Sequence, residues 1–141
     1  MNVNALVGSK VNVEVVETDF CEIYLVVGKP LFFKNAKGVF PTLLFQDFAL
    51  HAPKVVIDMG AVPYVCKGAD VMAPGIVSIE GEFVIGDIVL VVDEKYGKSL
   101  ALGESLYNSE TARSIKQGAV VRNFHFVSDK IWNFAKMLFE S

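Results

Sequence analysis

Apolar and polar positions change period several times along the chain, and each change marks an element. Val11, Val13 and Val15 alternate with Asn12, Glu14 and Val16, the period-two spacing of a half-buried strand. Residues 22–27 give a second strand, Gly28-Lys29-Pro30 turns the chain, and Leu31-Phe32-Phe33 reads as the hairpin partner. Asn35-Ala36-Lys37-Gly38 is a loop. Proline suits the first turn of a helix, so Pro41-Thr42 opens a short one over residues 43–48, with Leu43, Leu44, Phe48 and Ala49 packing inward. His51-Ala52-Pro53 ends it and marks a domain boundary.

The second half reads strand, short helix, then more strands. Residues 55–58 form a strand that runs into a helix at 63–67, closed by Gly68 as a left-handed C-cap. Val71-Met72 and residues 75–80 are strands separated by Ala73-Pro74, where proline cannot donate to a ladder. Residues 88–92 make a buried strand, Glu94-Lys95-Tyr96-Gly97 a turn, and residues 99–104 the returning partner. Ser109 is the expected N-cap of a helix over 110–117, which Gly118 stops. Strand follows at 119–121 and again at 124–127, and Ser128 or Asp129 caps a last helix carrying Trp132, Phe134 and Met137. The pattern predicts an α+β chain in two parts, residues 1–53 and residues 54–141, the second ending in a helical extension.

Hydrophobic residues make up 52% of the 141, but they fall in short runs broken by charge or glycine. No run reaches the roughly 18 apolar residues of a membrane helix. The start of the chain lacks a basic stretch followed by an apolar one, so no signal peptide, no membrane association and a cytoplasmic location are expected. Net charge is −3, which argues against a protein that binds nucleic acid through its overall field. The deficit lies wholly in residues 55–141, so any RNA contact has to come from a local patch.

Candidate chemistry is sparse. Cys21 and Cys66 lack CxxC spacing and are expected to stay reduced, although a disulfide between them is the alternative. With only His51 and His125 as histidines, a zinc site is not expected, nor is any cofactor. Gly81-Glu82-Phe83-Val84-Ile85-Gly86 has neither GxGxxG nor a P-loop lysine, and no GxSxG elbow occurs. No catalytic residue is assigned.

The Lys67-Gly68-Ala69-Asp70 turn has two readings. Gly68 serves there as a helix cap, or the turn is an RNA seat where glycine admits ribose and phosphate and Lys67 supplies charge. Met72-Ala73-Pro74-Gly75 is a strand interruption or a kink shaping a nucleotide pocket. In a strand, Phe124 and Phe126 share one face and His125 takes the other, fitting core packing or base stacking, while Arg122 suits bidentate phosphate contact. Lys29, Lys34 and Lys37 are solvated lysines or a second basic patch.

Residues 55 to about 130 resemble a PUA domain, a small RNA-binding β-pseudobarrel. The likeness rests on Gly60-Ala61, on the run from Gly68-Ala69-Asp70 through Val71-Met72-Ala73-Pro74-Gly75-Ile76, and on Gly86-Asp87-Ile88-Val89-Leu90-Val91. Ala101-Leu102-Gly103 and Gly118-Ala119-Val120-Val121 continue it. Leu31-Phe32-Phe33-Lys34, Gly38-Val39-Phe40-Pro41-Thr42-Leu43 and the stretch from Arg122-Asn123-Phe124-His125 to Trp132 resemble the pre-PUA and closing segments of the T-cell-lymphoma oncoprotein family and its archaeal relatives. The resemblance implies a pre-PUA domain followed by a PUA pseudobarrel, and a non-catalytic RNA-binding role in translation. Expected partners are rRNA or tRNA, the small ribosomal subunit and a protein partner in translation. By position it implies an RNA-binding set of Lys67, Gly68, Ala69, Asp70, Met72 and Arg122. Two further readings are an accessory subunit that targets an RNA-modifying enzyme and a PUA-fold protein-interaction module.

Overall fold

The computed structural model describes residues 12–140, and Val11 lies outside them. Four strands, β1 (Val13–Glu17), β2 (Glu22–Val26), β3 (Lys29–Asn35) and β4 (Gly38–Pro41), pair antiparallel in chain order. The helix α1 (Gln46–His51) leads from this sheet to the next strands: β5 (Lys54–Ile57), β6 (Val71–Met72), β7 (Ile76–Glu80), β8 (Ile88–Asp93), β9 (Ser99–Ser105) and β10 (Ala119–Phe126). They form a second sheet in the order β6-β10-β9-β8-β5-β7, in which only β5 and β8 run parallel.

The edge strands of that second sheet, β6 and β7, are consecutive in the chain and separated by the 3-10 turn Ala73–Gly75. A sheet whose two edges are joined by three residues has to curl until they meet. The six strands therefore wrap into a small barrel, and the α+β class and the pseudobarrel expected from the sequence are both observed.

Burial explains why β8 reads as an unbroken apolar run. Val89 and Val91 enter the barrel core with Val55, Ile57, Ala101 and Val121. Leu90 and Val92 point the other way, joining Ala52 and Leu102 beneath Leu43, Phe48 and Ala49. A strand buried on both faces has no polar side to alternate with. Ile23 and Phe33 of the first sheet are covered by α4 (Lys130–Glu140) through Ala135, Ile131, Phe134 and Leu138. The helix that follows the barrel in sequence thus completes the core of the sheet that precedes it.

Several local expectations shift. The β2–β3 hairpin turns at Val27-Gly28, both with positive φ, and Lys29-Pro30 already belong to β3. A type I′ geometry of this kind matches the twist of the flanking strands. Pro41 ends β4 instead of opening a helix, because the Thr42 amide donates to Leu31 O and its hydroxyl to Pro30 O. The helix α1 accordingly begins at Gln46. Val15 stands half exposed on β1, which among the described residues is an edge strand paired with β2. The cap of α3 (Ser109–Ser114) is Asn108, whose Oδ1 accepts from Thr111 N at 2.8 Å. Ser109 instead donates from Oγ to Glu82 and accepts from the Phe83 amide.

The β8–β9 turn is organised by buried Asp93, whose carboxylate accepts from the amides of Tyr96, Lys98 and Lys95. Those amides, Tyr96 foremost, hold its carboxyl below the ordinary value. A depressed folded-state value means that the contribution is present above the unfolded value near 3.9 and is lost as pH falls through the folded one. Asp93→Ala is therefore expected to melt below wild type at pH 7, with the gap shrinking below about pH 4. Thermal melts across that range check it, and a gap independent of pH would remove the charge from the explanation.

Candidate functional site

The short helix α2 (Val62–Val65) starts where Asp58 Oδ1 accepts from the Ala61 amide at 2.8 Å. It ends in a tight turn: Lys67 N and Ala69 N both donate to Tyr64 O, and Gly68 N donates to Val65 O at 3.0 Å. Gly68 has φ +101°, and a Cβ there would meet the Phe126 ring at 3.1 Å. Glycine is thus demanded by the left-handed backbone and by an aromatic ring that closes one side of the turn.

Asn123 clamps this turn to β10. Its side-chain amide donates to Val65 O and Ala69 O, each at 3.0 Å, and its backbone N–H donates to Asp70 Oδ1 at 3.1 Å. Asp70 therefore acts as an acceptor that fastens the turn. Asn123 sits at a register shift in β10, where Asn123 pairs with Gly103 and His125 with Leu102. The shift makes Phe124 an extra residue on its strand and sends Phe124 and Phe126 to different cores. That corrects the expectation that they share a face. His125 is fully buried.

Along the helix, turn and β6, the exposed residues include Met59, Pro63, Tyr64, Lys67, Ala69, Asp70 and Met72, with Tyr64 68% exposed, so the face carries one acid beside its lysine. Lys67 joins no ion pair among the described residues. Cys66 is reduced, and burial pushes its thiol up, so the neighbouring lysine does not make it a thiolate centre. Among the described residues no cluster of histidine, cysteine, aspartate and glutamate suits a metal ion. None of the helices described is long and apolar enough to cross a membrane.

Lys67, Gly68, Ala69 and Asp70 thus lie together on one clamped turn, and Met72 follows in β6. The Gly68 and Ala69 amides are engaged inside the turn, so neither N–H is free for a ligand. Arg122 adjoins Asn123 in sequence, but its guanidinium turns to Glu104 of β9 at 3.0 Å. It lines a cleft of about 680 Å³ between the barrel and the β3–β4 turn, together with Lys37 and Phe40. Tyr64 and Asn123 were not singled out from the sequence. An aromatic residue at helical spacing reads as core, and the partners of Asn123 lie more than fifty positions away.

Nearby, His125 ties β10 to the segment that follows β4 and to the start of α4. Leu43 N–H must donate, so His125 Nε2 accepts from it at 3.1 Å and the ring proton sits on Nδ1, facing Asp129 Oδ2 at 2.8 Å. Asp129 also accepts from the amides of Phe126 and Trp132, capping α4.

Comparison with known proteins bears on this geometry. The PUA domain family model matches residues 53–127, which span the barrel. An uncharacterized protein of Methanocaldococcus jannaschii is 41% identical over 134 residues, covering 94% of this chain and 83% of that one. Translation machinery-associated protein 20 of Saccharomyces cerevisiae is 30% identical over 141 residues, covering 94% and 78%. Malignant T-cell-amplified sequence 2 of Homo sapiens is 32% identical over 117 residues, 79% of this chain and 65% of its own. Among solved structures, a PUA domain of Aeropyrum pernix in a tartrate complex superposes with TM-score 0.81 at 29% identity, covering 92% and 77%. An H/ACA ribonucleoprotein bound to a substrate RNA gives 0.56 at 28%, covering 68% of this chain and 29% of that one. The family model accounts for the barrel and its clamped turn, and the longer relatives carry the likeness across the first sheet: the chain belongs to the PUA-domain family.

Proposed function

We propose that this protein binds RNA through its helix–turn–strand face and serves translation as a non-catalytic, cytoplasmic factor. The carrying observation is Lys67, which has no ion-pair partner among the described residues and stands beside exposed Tyr64 on a turn that Asn123 holds rigid. A cation beside a solvent-facing aromatic ring is the pairing that holds phosphate and base together in single-stranded recognition. Met72 extends the apolar part of the face, and Asp70 keeps the turn in place. The translation-machinery names of the relatives and the RNA in the H/ACA neighbour support the same reading. The partners proposed are the small ribosomal subunit, through rRNA or a bound tRNA, and a protein partner in translation.

Sedimentation of the protein with purified small subunits tests this. Wild type is expected in the subunit fraction at low salt and to be released as salt rises, because released counterions drive phosphate binding. Lys67→Glu should lower association about tenfold or more, and Tyr64→Ala about fivefold, with melting temperatures unchanged. Absence of wild type from the subunit fraction at low salt, or variants that associate as well as wild type, would remove this assignment.

A further inference from the structure

The cleft that receives Arg122 is separate from the helix–turn–strand face, and its lining is chemically selective. Lys37 comes from the β3–β4 turn of the first sheet and Arg122 from β10, so each sheet supplies one cation to the lining. The carboxylate among the lining residues is Glu104, and it is already paired with Arg122 through one guanidinium nitrogen. Arg122 remains half exposed, with further N–H donors in its planar fork. Between the cations the surface is aromatic. Phe40 and Phe124 pack at 4.9 Å between centroids, and Phe20 is 38% exposed at the rim.

Two cations and a group of aromatic rings lining one cleft match a ligand that is anionic at one end and flat and apolar at the other. An acidic peptide without aromatic side chains would use the charges and leave the rings uncovered. A nucleotide uses both, and a volume of about 680 Å³ lies within the ordinary range for a small-ligand pocket, roughly 300–1,000 Å³. The position of the cleft adds a second argument. Asn123, which clamps the helix–turn–strand face, also lines the cleft, and Arg122 is its chain neighbour. A strand lying on the turn would need to cross only the Arg122-Asn123 segment to reach it.

We propose that this cleft holds one unpaired nucleotide of a single-stranded RNA, its base on Phe20, Phe40 and Phe124 and its phosphate between Lys37 and Arg122. The inference rests on the RNA-binding reading of the helix–turn–strand face and extends the bound strand beyond it. The bound RNA then contacts both sheets, so the arrangement of the first sheet against the barrel is part of recognition.

Fluorescence anisotropy with a labelled single-stranded octauridylate, read across a salt series, tests the inference. Lys37→Gln removes a loop cation without touching either core, and Phe20→Ala trims a rim residue. Lys37→Gln is expected to weaken binding and to reduce the slope of log K against log salt by about 0.7. Phe20→Ala should weaken binding about fivefold with the slope unchanged. Wild-type affinity and slope in both variants would overturn the cleft assignment. If Lys67→Glu and Tyr64→Ala still lose binding in that case, the helix–turn–strand reading survives alone. If wild type ignores the octamer, or all four variants match it, both readings fall.

Discussion

Replacing His125 with alanine is expected to lower the unfolding free energy by about 3–5 kcal/mol. The residue has no solvent exposure, so its removal opens a cavity beside Phe33, whose ring centroid lies 5.1 Å from the imidazole. It also orphans the Leu43 amide and takes from Asp129 one of the partners that fix the start of α4. His125→Phe separates these contributions. It restores most of the volume but leaves the Leu43 amide without its acceptor, and should retain a deficit of about 1–3 kcal/mol. Urea unfolding followed by Trp132 fluorescence measures both variants. A midpoint for His125→Phe equal to wild type would show that the bond from the Leu43 amide to β10 contributes nothing net.

Gly103→Ala is the second change with a large expected effect. A Cβ at that position would lie 2.2 Å from Val121 Cγ1 and 2.8 Å from the Arg122 carbonyl oxygen. The valine methyl can rotate away, but the carbonyl belongs to β10 and moves only with its strand. Overpacking of this kind costs about 1–3 kcal/mol, and more where backbone must shift. Gly103 lies opposite Asn123, so the displacement falls on the segment that clamps the turn. Gly103→Ala should therefore lower the melting temperature and, in what remains folded, disturb the Asn123 side-chain amide resonances. A variant with wild-type stability and unmoved Asn123 signals would mean that β10 yields freely here, contrary to its register.

Much of the barrel was legible because its strands obey short-range rules. Strands β5, β8 and β9 are apolar runs bounded by turn residues, and their limits match expectation to within a residue or two. The glycine turn was legible for the same reason, since Lys67-Gly68 is a local signal. What could not be read depends on distant partners. Pro41 looks like a helix opener until Thr42 is found bonded to Pro30 and Leu31. Phe124 and Phe126 look like one face until the shift at Asn123 separates them. The cleft is lined by residues from Phe20 to Phe124, from elements that no sequence window contains together. Tyr64 escaped notice for the opposite reason, because its spacing fits a buried position and only the fold reveals it as exposed.

The packing of α4 on the first sheet has a consequence for how the protein is made. Phe33 leaves the ribosome about a hundred residues before Ala135, its neighbour in the same core. Until then the first sheet has an open apolar face, and the barrel between them in sequence can fold first. The contact that finishes the molecule is thus among its longest in sequence, the kind that closes slowly. A chain halted after the barrel would carry a completed helix–turn–strand face beside an unfinished, adhesive sheet, so the helix works as the last fastening of the molecule.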